Sequence, residues 1–176
     1  MLRSIRAAEL IGAHVILVAF FRDRCPAMND ESSYGPVVDL LRAAAGPARD
    51  AGVVLGLENS LSPADNLKLV DLVAEDNVKV YYDLDNVEFY GHTKLSVPGI
   101  RLLGKDRICQ VHVKNEERLI AERGRVDWRA AFDEFNAIGY DGWYVFESRH
   151  TGPDQIVEAT VKNIVFLQQR CRMPNP

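Results

Sequence analysis

The chain has 176 residues, 47% of them hydrophobic and 26% charged, which is typical of a soluble globular protein with one domain over 1–176. Its formal net charge of −4 argues against a general affinity for nucleic acid, which normally shows as a basic excess. We find no signal peptide or membrane span, and the 3 cysteines lack zinc or redox spacing, so we expect a cytoplasmic protein.

Apolar runs and helical patterns alternate along the whole chain. Short runs rich in β-branched and aromatic residues, bounded by turn residues, predict strands at 14–21, 53–59, 78–83, 108–113 and 143–147. The predicted helices cover 3–12, 37–51, 62–77, 97–103, 129–138 and 153–172. The longer predicted loops are 22–33, 86–94 and 115–128.

This order of elements predicts an α/β fold of the (β/α) TIM-barrel type. Each interval between consecutive strands has room for one helix and two short loops, as parallel neighbouring strands require. A closed barrel of eight such units typically has about 250 residues. We therefore expect an incomplete barrel of about five parallel βα units, short of the full eight by about three.

Four of the predicted strands end in a side chain that can bind a metal ion. Glu58, Asp83, His112 and Glu147 stand at the carboxyl ends of consecutive strands, where a parallel barrel carries its chemistry. Negative charges that converge there repel one another unless a cation joins them. Three carboxylates and one imidazole suit one Mn²⁺, Mg²⁺ or Co²⁺ ion, with Zn²⁺ as a further option. Taken singly, each carboxylate could instead cap a helix, and the histidine could be a satisfied core residue.

Longer segments around these residues resemble a known family. The matching segments are 51–59, 80–83, 111–114, 124–128 and 139–143. Together they resemble the sugar isomerase and epimerase group of the xylose isomerase-like TIM barrels. The resemblance covers nearly the whole chain but only strands four to eight of the family's barrel, so it implies that the first three of eight strands are lacking.

The resemblance also implies roles for individual residues. The four strand-end residues match the family's metal ligands. In its epimerases and isomerases two glutamates, here Glu58 and Glu147, serve as base and acid on the reacting carbon, and the metal stabilises a cis-enediolate. Arg118 and Lys114 match substrate-binding positions, although each could equally be a surface charge in solvent.

Two positions depart from the family's pattern. Asn86 stands where the ketose 3-epimerases have a substrate-contacting histidine. The asparagine amide can bind a substrate hydroxyl group, but unlike a histidine it does not gain or lose a proton. His92, nearby in the same predicted loop, could compensate, but we expect it to be exposed. Asn115 stands where many relatives have an aspartate, which removes a potential partner of the metal ligands.

These features favour a metal-dependent isomerase or epimerase that acts on a small sugar or polyol substrate. An inosose-type dehydratase, whose reaction begins with the same proton abstraction, is the alternative, and an inactive or partner-requiring barrel fragment stays open. A repair endonuclease of the endonuclease IV type fits less well, because such enzymes need more metal ligands and bind DNA. Since open strand edges promote pairing, we expect a homo-oligomer or a partner that completes the barrel.

Overall fold

The structure of the protein, a computed structural model, describes residues 1–149 and 152–171. Its strands in these residues are Val15–Phe20 (β1), Val54–Asn59 (β2), Val78–Asp83 (β3), Ile108–Val113 (β4) and Trp143–Phe146 (β5). They form one parallel sheet in which each strand pairs with the next one along the chain. The predicted α/β fold with parallel strands is confirmed.

Helices precede the sheet, follow it and occupy each interval between its strands. Within the described residues they are Leu2–Ile11 (α1), Glu31–Asp50 (α2), Pro63–Val73 (α3), Leu84–Phe89 (α4), Ser96–Leu103 (α5), Trp128–Ala137 (α6) and Pro153–Arg170 (α7). A helical crossover between successive strands is what makes these strands parallel. The predicted end of the last helix at 172 lies outside the described residues.

Helix α2 begins earlier than predicted, at Glu31 instead of Val37. The Asp30 side chain caps this end by accepting a hydrogen bond from the Ser32 amide. Pro36 lies inside the helix, although proline lacks an N–H donor and is more common in the first turn of a helix than in its interior. The predicted polar loop over 22–33 is shorter as a result.

Two further boundaries after β2 differ from the prediction. Helix α3 ends at Val73, well before Asn77, because Ala74 adopts a left-handed conformation with φ of 56°. Helix α4 begins before the predicted loop 86–94 and occupies its first residues. This helix starts directly at the strand end, where the Asp83 carboxylate accepts a hydrogen bond from the Asn86 amide at 2.9 Å.

The sheet has a covered face and an open face. Strand side chains alternate between the two faces, and Leu57 and Val111 on the covered face belong to the same hydrophobic core as Leu69 of α3. On the open face Leu17 is 43% exposed and Trp143 is 74% exposed. The helices therefore cover one side of the sheet, and its concave side is accessible.

The described helices include none that is long and apolar enough to cross a membrane. Cys25, Cys109 and Cys171 are free thiols. Burial raises the pKa of the Cys109 thiol to about 12, which keeps it protonated at neutral pH.

Candidate metal centre

The four predicted metal ligands lie together at the carboxyl edge of the sheet. Glu58 comes from β2, Asp83 ends β3, His112 lies on β4, and Glu147 directly follows β5. One potential ligand atom from each residue lies within 4.8 Å of those from the other three. His112 Nδ1 is 3.1 Å from Glu58 Oε1, 3.7 Å from Asp83 Oδ2 and 3.8 Å from Glu147 Oε2.

Strand register explains this convergence. Asp83 pairs directly with His112 across β3 and β4, so both side chains leave the same face of the sheet. Strand β5 continues in register with β4, which places Glu147 beside Lys114, the second residue after His112. Asp83 caps α4 and is also a member of the cluster, so the capping role does not remove it from the candidate ligands.

The donor set fits a divalent ion. Oxygen and nitrogen ligands of one Mg²⁺ or Zn²⁺ ion lie about 2.0–2.2 Å from it, so two of them are at most about 4.4 Å apart. The four candidate ligand atoms lie within 4.8 Å of one another, so the present arrangement approaches the spacing that one ion requires. Glu58 and Asp83 are buried, while the Glu147 side chain is 50% exposed, so the cluster is accessible from the side of Glu147.

Lys114 adds a positive charge to the cluster. Its Nζ lies 2.6 Å from Asp83 Oδ2 and donates hydrogen bonds to Glu147 Oε2 at 2.7 Å and to Asn86 Oδ1 at 3.1 Å. The whole side chain is 3% exposed. Two N–H groups of the ammonium thus donate hydrogen bonds within the protein and its charge faces Asp83 as an ion pair, while a contact between Lys114 and substrate stays a prediction.

Asn86 connects the carboxylates from the first turn of α4. Its side-chain amide donates a hydrogen bond to Glu58 Oε1 at 2.9 Å, and its Oδ1 accepts the hydrogen bond from Lys114. Its backbone N–H donates to Asp83. The residue predicted to contact substrate therefore lies within the hydrogen-bond network of the candidate ligands.

The charges in the cluster stabilise one another. Burial alone would lower the pKa of His112, but hydrogen bonds to Asp83 and Glu58 outweigh burial and raise this pKa to about 9. Burial opposes ionisation of Asp83, yet hydrogen bonds from His112 and Lys114 lower the pKa of its carboxyl group. Burial also acts against the charge of Lys114, and the neighbouring Asp83 raises the pKa of its ammonium group. In the metal-free protein at neutral pH, the carboxylates therefore face an imidazolium and an ammonium group.

Two aromatic residues to which the sequence assigned no role support the cluster. The Tyr81 ring packs on the His112 ring with centroids 4.4 Å apart, and burial raises the pKa of Tyr81 to about 12. The Trp128 indole donates a hydrogen bond to the Lys114 carbonyl oxygen at 2.9 Å. Tyr81 stands two residues before Asp83 and thus on its side of the strand, a signal that the sequence contained. The hydrogen bond from Trp128 to Lys114 spans the long loop after β4, and no local sequence pattern predicts it.

A charged contact beside the cluster ties the loop after β4 to helix α4. The Arg125 guanidinium lies 3.3 Å from Asp85 Oδ1 and 2.5 Å from Glu116 Oε1, and it stacks over Phe89 at 5.2 Å. Burial raises the pKa of Asp85, and the positive charge of Arg125 opposes that effect. No local sequence pattern predicts this pairing, because Asp85 and Arg125 are 40 residues apart in the chain.

The remaining candidates lie at the periphery. Arg118 is exposed in the loop after β4, with its guanidinium 3.3 Å from Glu116 Oε2. The Asn115 side chain donates hydrogen bonds to two carbonyl groups of its own loop, at 2.8 and 3.0 Å, so it shapes that loop. The expectation that His92 is exposed is wrong: it is half-buried, with Nε2 3.0 Å from the Ser60 carbonyl oxygen.

Several solved structures are similar to this chain. D-psicose 3-epimerase from Clostridium cellulolyticum H10, solved with D-tagatose, has 18% sequence identity and a TM-score of 0.79, over 96% of this chain and 68% of the other. The IOLI protein, solved with a zinc atom, has 16% identity and a TM-score of 0.75, over 98% of this chain and 69% of the other. A xylose isomerase-like TIM barrel protein from Mycobacterium smegmatis, solved with magnesium, has 19% identity and a TM-score of 0.69, over 96% and 64%.

At such identities the structural likeness shows the fold, and the chain spans about two thirds of the length of these proteins. No curated protein sequence matches the chain. A family model described as xylose isomerase-like TIM barrel matches residues 1–169, which confirms the resemblance carried by the sequence motifs. The chain therefore belongs to the xylose isomerase-like TIM barrel family, and its five parallel strands form part of such a barrel.

Proposed function

We propose that this protein binds one divalent metal ion and isomerises or epimerises a small sugar or polyol ketone. The observation that carries the proposal is the convergence of Glu58, Asp83, His112 and Glu147 within 4.8 Å at the carboxyl edge of a parallel sheet. The oxygen-rich set suits Mn²⁺, Mg²⁺ or Co²⁺, and Zn²⁺ is a further option. Zinc and magnesium are the metals named for two of the similar structures.

The two glutamates are the proposed acid and base. Glu58 comes from β2 and Glu147 follows β5, so the pair flanks Asp83 and His112 along the sheet edge. A bound divalent ion would supply Lewis-acid stabilisation of negative charge on the substrate oxygens. One glutamate then removes a proton next to the carbonyl to give a cis-enediolate, and the other returns a proton to it.

Keto sugars are the substrate class to test first. The similar structures include a D-allulose 3-epimerase from Methylomonas sp. and the 3-keto-D-glucoside 4-epimerase YcjR from E. coli, at 20% identity each. Arg118 is the substrate contact that we retain, because it is exposed and lines a pocket with Arg149, two residues after Glu147. Asn86 and Lys114 act on the substrate, in this proposal, through the carboxylates that they hold.

A cytoplasmic role in carbohydrate metabolism follows from this proposal. The free thiols Cys25, Cys109 and Cys171 fit a reducing compartment. The names of the similar sugar epimerases support the metabolic assignment.

Deuterium uptake tests the proposed chemistry. Metal-loaded protein is incubated with D-tagatose, D-allulose or a 3-keto-glucoside in deuterated water and followed by proton NMR. We expect one carbon-bound proton beside the carbonyl to exchange as the epimer or isomer forms, and Glu147→Gln to abolish the exchange. Glu158→Gln, at an exposed position on α7, is the matched control and leaves it unchanged.

Other outcomes assign other reactions. Turnover without deuterium uptake contradicts the proposed proton transfer and indicates hydride transfer or another reaction class. Loss of water from a keto-inositol, measured in parallel, favours the dehydratase alternative, whose first step is the same proton removal.

We also propose that further strands cover the open face, from a second copy of the chain or from a partner. Two observations support this proposal. Strands β1 and β5 each have one edge without a neighbour among the described strands, and Leu17 of β1 and Trp143 of β5 are exposed on the open face. Unpaired edges and apolar surfaces favour association. Full activity would then require the assembled protein.

A further inference from the structure

We infer that Lys114 is an internal counter-ion that holds the metal site in shape without a metal and competes with the metal for its ligands. The inference rests on the metal site of the proposed function. It assigns Lys114 a positioning role in place of a substrate contact.

The first support is the set of partners of the ammonium group. Lys114 Nζ lies 2.6 Å from Asp83 Oδ2, 2.7 Å from Glu147 Oε2 and 3.1 Å from Asn86 Oδ1. These acceptors belong to β3, to the segment after β5 and to α4, so one side chain joins three separate elements. Two N–H groups of Lys114 donate hydrogen bonds and its charge lies at ion-pair distance from Asp83, so a substrate hydroxyl would have to compete with these three partners for the ammonium group.

The second support is burial. Lys114 is 3% exposed, and its backbone carbonyl is fixed by the hydrogen bond from the buried Trp128 indole. A lysine is seldom buried to this extent unless it is paired. Its position is therefore set by the fold and by the carboxylates, not by contact with solvent.

The third support is charge balance. Glu58, Asp83 and Glu147 bring three negative charges into one cluster. A divalent ion offsets two of them, histidine binds metals as a neutral imidazole, and Lys114 offsets the third. With Lys114 the metal-loaded site is neutral, and without Lys114 it keeps a net negative charge.

Removal of the positive charge of Lys114 destabilises the metal-free site and favours the metal-loaded site. The metal-free protein is destabilised, because Asp83 and Glu147 lose their partner and Asp83 is buried. The metal-loaded protein loses the repulsion between the ammonium group and the ion. Both changes favour binding of the ion, so a variant without the charge binds metal more tightly, while Glu147 is less well oriented for catalysis.

Calorimetric titration of chelator-stripped protein with MnCl₂ tests this inference. For Lys114→Met, which keeps most of the length of the side chain but removes its charge, we expect a Kd at least about tenfold lower than in the wild type, at one ion per chain. We also expect a lower melting temperature without metal and a larger rise on adding Mn²⁺. The matched control Lys162→Met removes an exposed lysine of α7 and changes none of these three quantities.

Lys114→Gln is the second variant if Lys114→Met does not fold, because it retains a hydrogen-bond donor for the carboxylates. Equal or weaker Mn²⁺ binding by the variant overturns the inference. A structural role alone gives weaker binding and lower stability with and without metal, whereas a substrate contact raises KM at unchanged Mn²⁺ affinity. In the positioning role kcat falls and KM stays near the wild-type value.

The two proposals fail in different ways. A wild-type protein that binds no Mn²⁺ at this site overturns the metal site of the proposed function, and with it the inference. A wild-type protein that binds Mn²⁺ with an affinity unaltered by Lys114→Met overturns the inference alone.

Discussion

The Asn86 side-chain amide donates a hydrogen bond to Glu58 Oε1 at 2.9 Å, and the same oxygen lies 3.1 Å from His112 Nδ1. Glu58 is 6% exposed, so these two groups fix a carboxylate that solvent hardly reaches. An asparagine at this position thus orients a candidate base, a role that a neutral amide fulfils at any pH.

Asn86→Ala removes the donor to Glu58 and one acceptor of Lys114. We expect kcat to fall by about 10–100-fold, as is typical when a residue that orients a metal ligand is lost, with Mn²⁺ stoichiometry still near one. Steady-state kinetics on the keto sugar identified by deuterium uptake measures this effect. Asn29→Ala, in an exposed turn, serves as the control. Full turnover by Asn86→Ala means that the amide does not orient Glu58.

Metal binding at His112 depends on pH. The pKa of His112 in the metal-free protein is raised to about 9 from 6.5, so a proton occupies the imidazole at neutral pH and competes with the ion. We expect Mn²⁺ affinity to rise between about pH 6.5 and 9 and about one proton to be released per ion, measured by calorimetry in buffers of different ionisation enthalpy. His14→Gln, at an exposed position, leaves this linkage intact. Binding without proton release contradicts it.

The same shift has a consequence for the stability of the metal-free protein. Because the pKa of His112 is higher in the folded than in the unfolded protein, protonation of His112 stabilises the fold. This contribution is complete below about pH 6.5 and is lost as the pH rises through about 9. The melting temperature of metal-free protein should therefore fall over this interval, and His112→Gln should reduce the fall. A melting temperature that rises over the interval contradicts the charged state of His112.

The strands and the ligand cluster could be predicted from sequence because both depend on local patterns. Each ligand ends a short apolar run, and parallel strands bring their carboxyl ends to one edge. Helix α4 was missed because it is short and begins directly at Asp83, without a separate capping residue. The partners of Lys114 were not predictable, since Asp83, Asn86 and Glu147 come from three elements whose packing no local pattern specifies.

The Trp128 indole contact should contribute measurably to stability. Trp128→Phe leaves the buried Lys114 carbonyl oxygen without its donor at 2.9 Å and removes buried volume. We expect a loss of about 1–3 kcal/mol in the free energy of unfolding, measured by urea denaturation. Leu10→Ala, at a residue of α1 that is 70% exposed, should change it by less than about 0.5 kcal/mol. Equal losses for the two variants contradict the assigned contact.

Helix α7 carries an exposed apolar stripe that supports association. Val157, Val161 and Val165 are spaced by one helical turn and are 64%, 56% and 48% exposed. We expect light scattering at micromolar concentration to give a mass above the 19.7 kDa of one chain, and Val161→Glu to shift it toward the monomer. Leu40→Glu, on α2, is the control. A stable, cooperatively melting monomer contradicts the proposed assembly.

The location of a bound ion tests the central claim most directly. A crystal of the protein soaked in MnCl₂ should give one anomalous difference peak bounded by Glu58, Asp83, His112 and Glu147, with an oxygen or nitrogen of each about 2.0–2.3 Å from it. Lys114 should remain beside Asp83 and Glu147. The absence of a peak at this position, or a strong peak elsewhere while the four side chains keep their present contacts, contradicts the assignment of these residues as a metal centre.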